Sequence, residues 1–238
     1  MQELSTIPRD RIGVFLGYGQ SNSECYSSRG PGTYCAQHSA SVYEYSSGSV
    51  SPMQSSGMAT AAAGGGCVYG RLGDMLVATG AYDAVVFATA GVGAANLWSL
   101  MPGRDSGRYE RFRDMFLGME GALGRVDGVL WHQGEADRKN DVEEYRKNFV
   151  SLAEAMESDG VVCDLYIAQA SACKGEQSPE LLEVQRELAE TLVRGREGPN
   201  TDRIGEDLRT ADKCHFSSHG LDIMAAMWAD ILLDKTLI

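Results

Sequence analysis

Four short polar clusters in this chain hold the residue types that acyl-transfer chemistry needs. The first, Gly17-Tyr18-Gly19-Gln20-Ser21-Asn22, places a serine on a glycine-bearing turn. A serine hydroxyl must lose its proton as it attacks, so it needs an imidazole within reach and a carboxylate to hold that imidazole in the right tautomer. Asp212 and His215, in the run Asp212-Lys213-Cys214-His215-Phe216, supply both, and with only 4 histidines in the chain (His38, His132, His215, His219) the choice is narrow. The remaining clusters are Gly91-Val92-Gly93-Ala94-Ala95-Asn96 and His132-Gln133-Gly134-Glu135-Ala136-Asp137. A neutral amide such as Gln133, or a bare backbone N–H such as that of Gly93, donates to a developing oxyanion without titrating. Each residue also has a plainer use: Ser21 as a turn residue, Asp212 opening an Asx-turn, Gln133 and Glu135 bonding loop backbone, Gly93 permitting close helix packing. Neither glycine pair completes G-x-G-x-x-G, because Asn22 and Asn96 stand where the third glycine belongs.

Such loops need elements to position them, and in an open parallel sheet ligands bind beyond the carboxyl ends of the strands. The clusters follow short apolar, β-branched runs accordingly. Ile12 to Leu16 reads as the first buried strand, Ala84 to Thr89 as the second, Val129 to Trp131 as the third and Val161 to Ala168 as a fourth. Between them, Gly70 to Ala78, Tyr109 to Leu123, Asp141 to Met156, Pro179 to Val193 and Leu221 to Leu233 carry apolar residues at the spacing of helices that lay one face on a sheet. Ser178 is positioned as an N-cap with Pro179 at the first helical position. The alternation predicts an α/β fold with a parallel sheet. The long stretch Gly17 to Cys67, rich in Ser, Gly and Tyr, is the length of a functional loop. With no internal repeat and no linker, residues 1–238 are expected to form one domain.

Composition narrows the function classes. At 43% hydrophobic and 23% charged the chain has the material for a packed core, and its net charge of −12 argues against phosphate backbones and anionic membrane surfaces. No run approaches the ~18 apolar residues of a membrane span; Ile223 to Leu233 is short and interrupted by Asp230. The opening MQELSTIPRDR is polar where a secretory signal carries an apolar region. The expectation is therefore a cytoplasmic protein, or an extracellular one if this is a mature form. Cys25, Cys35, Cys67, Cys163, Cys173 and Cys214 are far apart with no C-x-x-C, and are expected to be mostly free thiols, with a Cys25–Cys35 bridge as the alternative.

Gly19-Gln20-Ser21-Asn22, a glycine turn followed by Trp98, Trp131 to Asp137 (WHQGEAD) and Asp212 to Phe216 (DKCHF) resemble, in order and spacing, the sequence blocks of the SGNH hydrolase superfamily. The most similar branch is that of carbohydrate acetylesterases, which includes sialic-acid O-acetylesterases and acetyl xylan esterases. The resemblance implies a flavodoxin-like three-layer α/β/α sandwich with a mostly five-stranded parallel sheet. It implies Ser21 as nucleophile, His215 as base and Asp212 as orienting acid. The oxyanion hole would be the Ser21 and Gly93 N–H groups with the Gln133 side chain, and Gln20, Asn22, Glu135 and Trp98 would contact substrate. The run AGVGAANLW departs from the branch's Gly-Gly-Thr/Ser pattern, which leaves Gly91 and Ala94 as alternatives to Gly93.

The partner implied is an acetylated carbohydrate, with no metal or cofactor, no nucleic acid and no membrane; oligomeric state is not specified. Two other readings use the same residues. Cys214, His215 and His219 are spaced like zinc ligands, with Asp212 and His132 able to join them, which describes a metal-dependent hydrolase. Tyr26, Tyr34 and Trp98 offer faces for sugar rings, which describes a glycan-binding module without turnover. Arg29, Arg104 and Arg138 are the cations that would meet a sialate carboxylate.

Overall fold

The computed structural model describes residues 4–25, 37–38, 40–53, 66–104 and 106–234. Tyr26, Arg29, Tyr34 and Cys35 therefore lie outside the described residues. Among the described residues seven strands form one sheet in the order β3-β2-β4-β1-β5-β6-β7: β1 (Ile12–Gly19), β2 (Val42–Ser46), β3 (Ser49–Pro52), β4 (Ala84–Thr89), β5 (Gly128–His132), β6 (Asp164–Gln169) and β7 (Gly195–Asn200). Every pairing is parallel except the β2–β3 hairpin. Set that hairpin aside and the remaining five strands, counted along the chain, run 2-1-3-4-5, the flavodoxin-like order. The fold class expected from the sequence holds, and the hairpin widens the sheet beyond the expected five strands.

Alternation along β1 explains the three layers. Val14, Leu16 and Tyr18 point to one face, where Phe112 and Phe116 of α2 (Arg108–Leu123), Phe149 and Leu152 of α3 (Val142–Ser158) and Leu181 and Leu188 of α4 (Pro179–Thr191) cover them. Phe15 points to the other face, toward Leu72 and Leu76 of α1 (Val68–Ala78) and Met224 and Trp228 of α5 (Ser218–Asp234). Tyr18 is wholly buried and stacks on Phe112 with ring centroids 4.0 Å apart, while its hydroxyl donates to the Leu100 carbonyl at 2.6 Å. Ser178 does cap α4, its hydroxyl accepting from Leu181 N, and Asp141 caps α3 by accepting from the N–H groups of Glu143 and Glu144. Among the described residues no helix is long and apolar enough to cross a membrane.

The strands unseen in the sequence are β2, β3 and β7. The first two lie inside the stretch read as a long loop. β7, GREGPN, has no apolar residue to signal it; its Gly198 lies so close to β6 that a Cβ there would sit 2.5 Å from Ala168 N, and Pro199 is tolerated because the strand is at the sheet edge.

At the end of β1, Gly19 has φ of 140°, and a Cβ there would lie 2.1 Å from the His132 carbonyl oxygen on β5. The close approach of β1 and β5 needs a residue without a side chain. Gly19→Ala is expected to destabilise the fold by ~2–4 kcal/mol, measured by urea unfolding, whereas Gly80→Ala, which meets nothing within 4 Å, is expected to cost ~1 kcal/mol from its positive φ alone.

Candidate active site

Three loops leave the carboxyl ends of adjacent strands β4, β1 and β5, and a fourth, the hairpin from Arg209 to Phe216, closes over them. After Gly19 the chain turns sharply: Gln20 N donates to His132 O at 3.0 Å, and Ser23 N and Glu24 N both donate to Gln20 O. This turn holds Ser21 at its crest. Ser21 Oγ lies 2.8 Å from His215 Nε2, and His215 Nδ1 lies 2.5 Å from Asp212 Oδ2. With Nδ1–H donated to the carboxylate, Nε2 presents its lone pair to the serine hydroxyl.

Asp212 is oriented from its other oxygen. Oδ1 accepts from Thr210 Oγ1 at 2.6 Å, Cys214 N at 2.9 Å and His215 N at 3.0 Å, so the Asx-turn and the imidazole contact are made by one side chain. Burial alone would raise the Asp212 pKa, but these donors and the imidazole outweigh it and hold the carboxyl far below the ordinary range.

A cavity of ≈ 420 Å³ opens at Ser21 and His215, lined also by Gly93, Ala94, Arg138 and Lys174. Accounting for the N–H groups of the Ala90–Ala95 loop decides what each glycine is doing. Ala90 N donates to Gly17 O, Gly91 N to Thr89 Oγ1, Val92 N to Gly19 O and Ala95 N to Val92 O. The Gly93 amide lies beside the Glu24 carboxylate, whose pKa it lowers. Among the described residues that leaves Gly93 N, and Ala94 N at a left-handed φ of 56°, without a hydrogen-bond acceptor. Of Gly91, Gly93 and Ala94, the Gly91 N–H already has a partner, while Gly93 and Ala94 both line the cavity.

Gln133 departs from expectation. It is fully buried, and its amide nitrogen lies 2.5 Å from Asp137 Oδ2, 3.3 Å from Ala95 O and 3.4 Å from Gln20 Oε1, so both protons face acceptors inside the protein. It ties the β5 loop to the β4 loop. Asp137 completes that tie by accepting from Leu97 N at 2.7 Å.

The four residues expected to touch substrate divide. Gln20 borders the cavity, but its Oε1 accepts from Ala136 N at 3.1 Å. Asn22 Nδ2 donates to Glu135 Oε1 at 2.7 Å and to Cys214 O at 3.3 Å, joining the serine turn to the histidine hairpin. Glu135 is 2% exposed and pairs with His132 Nε2 at 3.2 Å. Trp98 is 52% exposed beside the β4 loop, with the Arg104 guanidinium 4.2 Å over its ring, and does not border the cavity. Arg138 borders the cavity but is engaged with Glu176 and the Glu135 carbonyl.

The sequence reading missed Glu24, which is buried against Gly93, and Arg209, which is buried behind the hairpin. Burial pushes the Glu24 carboxyl above its ordinary pKa, against the Gly93 N–H and the Arg111 charge. No motif marks either residue. The cysteine expectation is also corrected: Cys25 is bonded to Cys67, and Cys173 to Cys214, leaving Cys163 as the free thiol among the described cysteines. Cys25 follows the serine turn and Cys214 precedes His215, so each bridge clips one side of the site. With its sulfur in a disulfide Cys214 has no thiolate for zinc, and both His215 nitrogens face Ser21 and Asp212. His219 is 73% exposed at its side chain, 3.9 Å from Asp222.

Burial would raise the Glu135 carboxyl, but the His132 charge and hydrogen bond, with Asn22, hold it at about 2, against 4.5 for a free side chain. A carboxyl lowered on folding adds stability that is complete above the unfolded value and lost as pH falls through the folded one. Glu135→Gln is therefore expected to flatten the loss of Tm between pH 4.5 and 2, measured by calorimetry against wild type. Parallel Tm curves for the two proteins over that window would show that Glu135 carries no such linkage.

Among curated proteins none matches this chain. Among solved structures it is similar to a protein from Arabidopsis thaliana, at 15% identity and a TM-score of 0.74, covering 96% of this chain and 100% of that one. It is similar as well to a carbohydrate acetylesterase from Xanthomonas citri, at 18% identity and a TM-score of 0.62, over 91% of this chain and 54% of that one. A third is a variant of an acetyl xylan esterase from Geobacillus stearothermophilus, at 16% identity and a TM-score of 0.55, over 95% and 96% of the two chains. At these identities the likenesses show a shared fold. The model of the family described as carbohydrate esterase, sialic acid-specific acetylesterase, matches residues 11–234. That match takes in all four loops of the site and every described strand of the sheet, and the chain accordingly belongs to this carbohydrate esterase family, as a carboxylic ester hydrolase.

Proposed function

We propose that this chain removes O-acetyl groups from a carbohydrate by two-step acyl transfer through Ser21. The observation that carries the reading is the 2.8 Å contact between Ser21 Oγ and His215 Nε2, made by residues 194 positions apart. Ser21 Oγ attacks the acetyl carbonyl carbon while His215 Nε2 takes its proton. The tetrahedral intermediate collapses, the sugar oxygen leaves with the proton from His215, and an acetyl ester remains on Ser21. Water then gives a proton to His215, attacks that ester, and acetate departs as Ser21 recovers its hydrogen. Asp212 stays ionised throughout and holds the imidazolium that forms in each step.

The oxyanion is met by backbone. Ser21 N and Ala94 N, on residues that line the cavity and without an acceptor among the described residues, are its donors, with Gly93 N beside them. Gln133 acts by fixing the Ala95 end of the β4 loop. For substrate we favour an acetylated sialic acid over acetyl xylan: the family description names sialic acid, and Lys174 at the cavity rim offers a cation for the sialate carboxylate.

Ser21→Ala is expected to lower kcat by at least ~10³-fold on p-nitrophenyl acetate and on O-acetylated sialosides. Wild-type turnover by that variant would end the proposal. Asp212→Asn is expected to cost about 10⁴ in kcat by favouring the wrong tautomer. Acetate release from a panel of acetylated sialosides, xylan fragments and simple sugar acetates decides the substrate, with faster release from xylan overturning the sialate preference.

A further inference from the structure

Arg209 has its side chain turned into the protein, 7% exposed, at the base of the hairpin that carries Asp212 and His215. Among the described residues the guanidinium donates to main-chain carbonyls alone. Nε donates to Ile204 O at 3.2 Å, Nη1 to Cys214 O at 2.7 Å and to Ala172 O at 3.3 Å, and Nη2 to Thr201 O at 2.9 Å. Its plane lies 4.4 Å over the Phe216 ring, and no salt bridge to it occurs among the described residues. Burial of a cation without a carboxylate partner is costly, and the cost is offset here by four charge-assisted hydrogen bonds and the ring. The four carbonyls belong to three separate segments: the loop after β6, the turn after β7, and the hairpin itself.

The Cys214 carbonyl is where these contacts meet the site. It accepts from Arg209 on one side and from Asn22, the neighbour of Ser21, on the other, while the Cys214 sulfur is bonded to Cys173. His215 is the next residue. Its backbone position is therefore set by whatever fixes Cys214, and Arg209 makes the shorter of the two bonds to that carbonyl.

We propose that Arg209 is a positioning residue for the base: its fork of donors ties the His215 hairpin to the ends of β6 and β7 and so keeps Nε2 within reach of Ser21. The inference rests on His215 being the base and concerns how that base is held. Arg209 touches neither substrate nor the reacting atoms. A lysine keeps the charge and part of the stem, but its compact head cannot address four carbonyls in a plane.

Steady-state kinetics of Arg209→Ala and Arg209→Lys, on p-nitrophenyl acetate and an acetylated sugar, test it in the full chain. Misplacing the imidazole by an ångström is expected to lower kcat about 10- to 100-fold while KM stays within about 2-fold. Guanidinium ion at millimolar concentration is expected to restore part of kcat in Arg209→Ala and none in Ser21→Ala. Arg71→Ala is the comparison for stability alone, since Arg71 is a buried arginine on α1, paired with Asp222; it is expected to lower Tm and leave kcat of the folded fraction unchanged. Wild-type kcat in both Arg209 variants, or a fall that only follows the unfolded fraction as in Arg71→Ala, overturns the proposal. If Arg209→Ala does not fold, Arg209→Lys decides by the same split of kcat from KM. His215→Ala separates the two levels: activity retained there ends the reading of His215 as base, whereas a dead His215→Ala beside a wild-type Arg209→Lys ends only the role of Arg209.

Discussion

One hydrogen bond between a serine and a histidine contributes about 0.5–1.5 kcal/mol net, too little to bring together segments from opposite ends of a chain. The contact between Ser21 and His215 is instead a result of how the sheet is ordered. β1 lies between β4 and β5, so the serine turn emerges at the centre of the carboxyl edge with a loop on either side. The hairpin bearing His215 reaches that centre because α5 packs on α1, against the face that Phe15 of β1 helps to form. Hydrophobic burial does the gathering, and polar bonds then fix the register to a fraction of an ångström.

Those polar bonds follow from a simple constraint. Loops that leave a buried sheet carry N–H and C=O groups that water cannot reach, and each must find a partner. Side chains supply what backbone geometry leaves open: Thr89 for Gly91, Asp137 for Leu97, Asp212 for Cys214 and His215, Arg209 for four carbonyls. Ser21 N, Gly93 N and Ala94 N, on residues that line the cavity, are left without an acceptor among the described residues.

How much of this was legible in the sequence follows from what kind of signal each residue leaves. The parallel core was visible because IGVFL, AVVFAT and the run at Val129 are buried on both faces and so read as continuous apolar stretches. Ser21, Asp212 and His215, which the fold brings into contact, were legible because few residue types suit acyl transfer and because glycine marks the turn. β7 was not, since its pairing rests on glycines that let backbones approach rather than on side chains that bury. Gln133 has the right chemistry for an oxyanion, but which way its amide points depends on Asp137 and the Ala95 carbonyl, neighbours brought in by the fold. The disulfides were missed for a related reason: Cys25 and Cys67, and Cys173 and Cys214, are 42 and 41 residues apart, and only the topology makes them adjacent.

The separation of 194 residues between Ser21 and His215 has a meaning for the chain as it is made. Synthesis runs at roughly 5–20 residues per second, so a ribosome carries the serine for on the order of 10–40 s before the imidazole exists. Throughout that interval the serine turn has no imidazole to meet, and the contact forms only after the hairpin that carries His215 has been made and has docked.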